Sequence, residues 1–299
     1  MYHMSVLQLR ARLYLLSVSV LVSLLFISCA TVPITGRSQL SLIPDAQMMS
    51  MSFQQYDQFL QENQLSTNRQ QTQMVKGVGV RIQNAVEQYF AEHQMPQQLA
   101  GYAWEFNLVE NKDVNAWCMP GGKVVVYTGI LPVTQDENGL AVVMGHEIAH
   151  AIAKHGNERM SQGLLAQVGT MVLEEALRNK PEQTQQLWMT AFGLGAQLGA
   201  ILPFSRLHES EADHLGLIFM ATAGYDPQTA VSFWQRMAQS GGAKPPEFMS
   251  THPSDATRIR KIQEELPEAL QYYRPAQSEN LTPNPQQKLN TKPGYRRRP

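Results

Sequence analysis

The stretch Gly145-His146-Glu147-Ile148-Ala149-His150 constrains this chain more than any other. In a helix, residues four apart share a face one turn apart, so His146 and His150 aim two imidazoles at one point in space. Glu147 follows the first histidine and flanks that point. This is the H-E-x-x-H arrangement, two nitrogen ligands for zinc and a carboxylate placed as general base. The surroundings read as helix. Asp136 stands as N-cap, with Glu137 at the positive end of the dipole. Leu140, Val143, Met144, Ile148, Ala151 and Ile152 recur near the helical period, and Lys154, His155 and Gly156 supply a stop. A His-Glu pair inside so apolar a helix must be satisfied, because unpaired buried charge is costly, and a divalent cation would satisfy it.

The 24 Lys and Arg against 25 Asp and Glu leave a formal charge of −1, which argues against a nucleic-acid partner. At the N-terminus Arg10 and Arg12 precede an apolar run from Leu13 to Ile27, then Ser28-Cys29-Ala30. A basic start, a short apolar run and small residues describe a secretory signal. Its end at a cysteine reads as a bacterial lipoprotein signal over residues 1–28, with Cys29 as the lipidated first residue. An uncleaved signal-anchor helix is the alternative. With Cys29 so used, Cys118 has no disulfide partner. The expected organisation is a signal peptide over 1–28, a tether over 29–44 marked by Pro33, Gly36 and Pro44, one domain over 45–272, and a disordered tail over 273–299 dominated by Pro, Gln and Asn.

Helices are expected from Asp45, as cap, to about Asn63 and from about Thr67 to His93. After Pro96 the period falls to two, and Tyr102–Leu108, Asn115–Met119 and Lys123–Tyr127 read as short strands, with Pro120-Gly121-Gly122 as a turn. Met160–Arg178 is amphipathic. Leu187–Leu202, rich in Gly and Ala, is read as a close-packed buried helix, with membrane contact as the alternative. Further helices are expected over Ser205–Ala223, after Asp226-Pro227, and over Ser254–Leu266. The fold class is therefore α+β, mainly α, with a small antiparallel sheet packed beside the metal helix.

Catalytic zinc usually has three protein ligands and an open position for water. A third histidine in the H-x-x-G-x-x-H pattern is excluded, because Ala153 and Gly156 occupy the glycine and histidine places. The third ligand is then expected to be a carboxylate on another helix. Glu209 and Asp213 are four apart and share a face, whereas Glu211 points elsewhere. Glu209 can bind the metal while Asp213 accepts the outer N–H of a ligand histidine and fixes its tautomer. An ordinary acidic helix surface is the competing reading. His155, beyond the ligand turn, reads as structural.

His146-Glu147-Ile148-Ala149-His150, then Ser205 to Asp213 with Glu209 in its middle, then His252-Pro253 with Arg258, resemble the HtpX-like family of gluzincin zinc metallopeptidases, which includes CAAX-prenyl endopeptidases and periplasmic lipoprotein peptidases. Asn115-Ala116 before Pro120-Gly121-Gly122 is similar to its substrate-strand segment, and Thr31 to Arg37 looks like the start of its lipoprotein members. The resemblance implies a zincin-like domain over 45–272 with one zinc ion per chain, bound by His146, His150 and Glu209. Glu147 would assist attack of zinc-bound water on the scissile carbonyl. His252 and Arg258 match positions that support the oxyanion or, in some members, cover the metal at rest. Asn115 and Ala116 would lie on the strand that pairs with an extended polypeptide substrate.

The same resemblance implies an endopeptidase acting on misfolded or unassembled envelope proteins, lipid-anchored to a membrane of the bacterial cell envelope, on the periplasmic side of the outer membrane. An assembly factor or chaperone with little proteolysis is the alternative. A purely structural zinc site ranks last, since such sites are closed and cysteine-rich and neither Cys29 nor Cys118 fits.

Overall fold

The computed structural model describes residues 29–178, 180, 182–186, 189–190, 202–240, 248, 252 and 256–275. The leader expected over 1–28, the tail from 276 onward and most of the apolar stretch 187–202 lie outside the described residues. The chain begins with strands β1 (Cys29–Thr31) and β2 (Ser38–Leu40), followed by helices α1 (Asp45–Glu62) and α2 (Arg69–Glu92). Strands β3 (Glu105–Val109), β4 (Ala116–Met119) and β5 (Lys123–Tyr127) come next. A short turn of helix, Leu131–Thr134, leads into α3 (Glu137–Ile152), α4 (His155–Leu177), α5 (Leu202–Thr222), α6 (Thr229–Ser240) and α7 (Ala256–Tyr272). The mainly helical α+β class stands. No described helix is long and apolar enough to cross a membrane.

Helix α3 forms the axis of the domain. Asp136 caps it, its Oδ1 accepting from the Gly139 amide at 2.9 Å. Every residue from Gly139 through Ala149 is buried, so the helix needs partners on all sides. Helices α2 and α5 and the sheet pack around it. Large side chains such as Phe90, Phe219, Phe233 and Trp234 complete the core. Transfer of this apolar surface out of water, about 25 cal/mol per Å², holds the layers together.

Three expectations are corrected. The sheet is mixed, not antiparallel. The strand order is β3-β5-β4. The hairpin β4–β5 is antiparallel, turning where Gly121 and Gly122 adopt φ of 85° and 86°. β3 pairs with the far edge of β5 in parallel, Glu105 opposite Lys123 through Val109 opposite Tyr127. Alternating residues show that a strand has a buried face but not which neighbour it pairs with or in which direction.

The metal helix ends before its expected stop. Lys154 takes the left-handed conformation at φ 59°, and α4 begins at once with His155, so Gly156 lies inside a helix. Lys154 Nζ reaches Asp45 Oδ2 at 2.7 Å. Asp45 is the first residue of α1, whose cap position is Pro44.

Residues 31–44 are not a spacer. Val32 is fully buried. Gly36, at φ 69°, turns the chain between β1 and β2. The Leu42 amide donates to Ser161 Oγ at 2.9 Å and Asn157 Nδ2 donates to the Ile43 carbonyl at 2.7 Å. Proline and glycine, read as signs of a linker, here shape a hairpin laid against α4.

Candidate active site

Four side chains from three parts of the chain converge. His146 and His150 come from adjacent turns of α3, Glu209 from α5, and His252 from the segment before α7. His146 Nε2 lies 3.1 Å from His150 Nε2, 3.1 Å from His252 Nδ1 and 3.4 Å from Glu209 Oε2. His150 Nε2 is 3.3 Å from Glu209 Oε1, and His252 Nδ1 is 2.9 Å from Glu209 Oε2. The edges of a tetrahedron of donors around zinc, with bonds of roughly 2.0–2.1 Å, are about 3.3 Å long. The observed separations match such a set of edges. Among the described residues this is the one group of three or more candidate ligands.

The outer nitrogens of the two helix histidines explain why their inner lone pairs are free. His146 Nδ1 is 2.9 Å from Asp213 Oδ1. A carboxylate only accepts, so Nδ1 carries a proton, and Nε2 is the nitrogen that offers a lone pair to a metal once its own proton is displaced. Asp213 is in turn gripped by Arg258, with Nε to Oδ2 and Nη2 to Oδ1 both at 2.7 Å. The guanidinium lies 3.4 Å over the Trp234 ring. On the other ligand, His150 Nδ1 faces His155 Nδ1 at 2.8 Å.

Lone pairs of three imidazoles and a carboxylate aimed at one another repel unless a proton or cation lies between them. The charges agree. Glu147, Glu158, Glu209, Glu211 and Asp213 crowd this region with Arg37 and Arg258 as the guanidinium partners. Burial pushes Glu209 up, but the imidazoles of His146, His150 and His252 outweigh it and hold the carboxyl far below its usual range. Burial opposes the charged form of His146, yet Asp213 and Glu209 raise it to about 9. His150 is driven the other way, mainly by burial. The donor set fits a single divalent ion with nitrogen and oxygen preference, which is zinc chemistry.

Glu147 stands beside the cluster. It is buried, Oε1 has no hydrogen-bond partner among the described residues, and His252 Nε2 lies 3.4 Å away. Burial raises its pKa, which suits a group that must accept and then release a proton. A cleft of about 520 Å³ opens in front, lined by Met48, Tyr102, Trp117, Cys118, Glu147 and His150 among others. Asn115 and Ala116 also line it. β4 is an edge of its sheet on this side, so its backbone can take an added strand. The Asn115 side chain is turned back onto its own chain, Oδ1 accepting from the Ala116 amide at 2.9 Å.

The His252 imidazole stands at the fourth corner of the cluster, the place it would take in the alternative where it covers the metal at rest. Arg258 lies behind the ligands, bonded to Asp213 and 3.3 Å from Glu209 Oε2, and is not among the residues that line the cleft. Sequence reasoning missed the supports of His150. His155 Nε2 is 2.9 Å from Glu211 Oε2, and Glu211 is held by Arg37 Nε at 2.8 Å. The signal available was Glu211 itself, two residues beyond Glu209 on the opposite side of the helix and too short of solvent partners once α5 is buried.

A profile of peptidase family M48 matches residues 79–266. The chain is 41% identical over 168 residues to the mitochondrial metalloendopeptidase OMA1 of Schizosaccharomyces pombe, covering 56% of this chain and 48% of that one. It is 35% identical over 199 residues to the protein of that name from Arabidopsis thaliana, covering 66% of this chain and 39% of the other. The β-barrel assembly-enhancing protease of Escherichia coli is 27% identical over 244 residues, 78% of this chain and 46% of that one. The chain thus spans about half the length or less of these relatives. It belongs to peptidase family M48, whose metallopeptidases use zinc. The matches do not single out the HtpX-like or CAAX-prenyl branch. They overturn the expectation of a lipid-anchored protein at the bacterial outer membrane, since relatives of 33–41% identity are named as mitochondrial. A basic start and an apolar run report targeting without naming the compartment, and Cys29, expected as the lipidated residue, opens strand β1 opposite Leu40.

Proposed function

We propose that this member of peptidase family M48 is a zinc endopeptidase that hydrolyses internal peptide bonds, with His146, His150 and Glu209 holding one zinc ion and Glu147 as general base. What carries the reading is the convergence of these donors beside the buried carboxylate of Glu147, whose Oε1 accepts no hydrogen bond among the described residues and which lines an open cleft. A zinc ion held by His146, His150 and Glu209 would supply Lewis acidity toward the scissile carbonyl and toward a water, whose pKa such a site lowers to about 7. Glu147 takes the proton of the attacking water and delivers it to the leaving amine, the exchange that its burial-raised pKa favours. Asp213 holds the His146 tautomer, and Arg258 holds Asp213. An extended substrate lies along the β4 edge past Asn115 and Ala116. His252 fills the fourth corner at rest, so turnover requires its imidazole to withdraw.

The substrates fitting an edge strand are extended segments, as in misfolded or unassembled proteins. Casein digestion by the full chain, with and without a chelator and beside Glu147→Gln, tests the activity. The chelator is expected to stop cleavage, and the variant to lose at least about 100-fold while still binding zinc. Undiminished cleavage by Glu147→Gln rules the mechanism out. A second reading is an assembly factor with little proteolysis; the name of the Escherichia coli relative couples assembly to a protease and so supports the assembly part alone, and full function of Glu147→Gln in cells would select this reading.

A further inference from the structure

The two helix ligands are each backed by an arginine through a carboxylate, but the two arginines come from opposite ends of the domain. Arg258, near the C-terminal end, acts on His146 through Asp213. The second route starts in the N-terminal hairpin. Arg37 Nε donates to Glu211 Oε2 at 2.8 Å, and its Nη1 and Nη2 donate to Glu158 Oε1 and Oε2 at 3.1 and 2.8 Å. Thr35 Oγ1 donates to the other oxygen of Glu211. Glu211 Oε2 lies 2.9 Å from His155 Nε2, and His155 Nδ1 lies 2.8 Å from His150 Nδ1. Glu158, His155 and Glu211 are all buried, at 1%, 2% and 7% exposure.

The order of protons along this route is set by donor and acceptor identity. The ionised carboxyl of Glu211 can only accept, so His155 Nε2 carries a proton. The neutral imidazole of His155 then has its lone pair on Nδ1. That lone pair accepts from His150 Nδ1–H, leaving the His150 Nε2 lone pair aimed at Glu209 and His146. Were Glu211 turned away, His155 would lose the partner that fixes its tautomer, and His150 would lose the acceptor that fixes its own.

We propose that Arg37 is a positioning residue of the metal site, acting through Glu211 and His155 on His150, so that the hairpin at residues 29–40 is part of the site. Arg37 lies outside residues 79–266 that match the family. Beside Thr35 Oγ1, its guanidinium supplies the charge that holds Glu211: it bridges two buried carboxylates, the second also bonded by His208 Nε2 at 3.0 Å, and orients the first at His155. The inference rests on His150 being a zinc ligand.

The test measures zinc dissociation constants by chelator competition on the full chain. Arg37→Ala is expected to weaken zinc binding roughly 10-fold, within the 10–100-fold range for supports of metal ligands. Arg37→Lys, which keeps the charge without the two-carboxylate bridge, is expected to recover part of that loss. Arg37→Ala added to His155→Ala should cost little more than His155→Ala alone, whereas added to Asp213→Asn it should multiply, because the two routes are separate. A merely structural role for Arg37 would lower the melting temperature of the metal-free protein without this pattern. Should Arg37→Ala fail to fold by circular dichroism, Glu211→Gln carries the same expectation. Zinc affinity within twofold of wild type, or full multiplication with His155→Ala, overturns the proposal alone. If wild type binds no zinc, or His150→Ala binds it as well as wild type, the metal-site reading fails first.

Discussion

The backbones of Gly145 and Gly216 touch where α3 crosses α5. A Cβ on Gly216 would lie 2.9 Å from the His146 nitrogen, and one on Gly145 would lie 2.9 Å from the Gly216 carbonyl oxygen. This approach lets Glu209, two turns before Gly216, reach across to the histidines that come after Gly145. Replacing Gly216 by Ala is expected to push the helices apart, costing roughly 1–3 kcal/mol, and to weaken zinc binding in parallel. Urea unfolding of the metal-free variant and chelator competition would check both. Unchanged zinc affinity would show that the crossing distance does not set the ligand geometry.

Asp213 and Arg258 separate orientation from stability. Asp213→Asn keeps the shape of the support but lets the side chain donate as well as accept, and should reduce zinc affinity about 10–100-fold. Arg258→Ala leaves Asp213 buried without its charge partner, and should cost about 3–5 kcal/mol of stability. Wild-type zinc affinity in Asp213→Asn would mean that His146 keeps its tautomer unaided.

Glu265 on α7 gives the protein a pH signature outside the ligand set itself. Burial, with Asp213 close by, raises its pKa to about 7, and Oε2 has no hydrogen-bond partner among the described residues. An acid whose folded pKa lies above its unfolded value adds stability at low pH and loses it as pH rises from about 4.5 through 7. Glu265→Gln is therefore expected to be more stable than wild type at pH 8, by roughly 1–2 kcal/mol after allowance for partial exposure. Below pH 4.5 the difference should vanish. Denaturant melts at the two pH values would decide, and a constant difference would count against the shift.

Metal removal reports on the cluster directly. An ion bound to the folded chain at a hundred times its dissociation constant adds about 2.7 kcal/mol. For a domain of this size that corresponds to a shift of roughly 5–10 °C in Tm. Calorimetry with and without chelator should show that drop, and zinc should restore it. His146→Ala is expected to show no response to either.

The chemistry of α3 was legible because its signal is local. His146 and His150 share one helical face with Glu147 at its flank whatever surrounds them, and Asp136 caps the helix through an amide three residues away. Glu209 and Asp213 could be paired by their four-residue spacing for the same reason. The short strands were visible in their alternation, but the parallel pairing of β3 with β5 was not, because side-chain period carries no direction. The supports of His150 were hidden for a different reason: Arg37 and Glu211 are 174 residues apart, and neither belongs to a pattern that a linear reading tests.

Sequence alone determined the elements in which a single helix turn sets the relation between residues: the two histidines with Glu147 beside them, the cap and the carboxylate pair. These depend on backbone period, which the chain carries with it. Only tertiary structure decided what meets across separate elements: which of its two implied places His252 takes, Arg258 behind Asp213, and the hairpin guanidinium beneath His150. Those contacts depend on how close two helix backbones can come, and glycines at 145 and 216 acquire that meaning only once the helices cross.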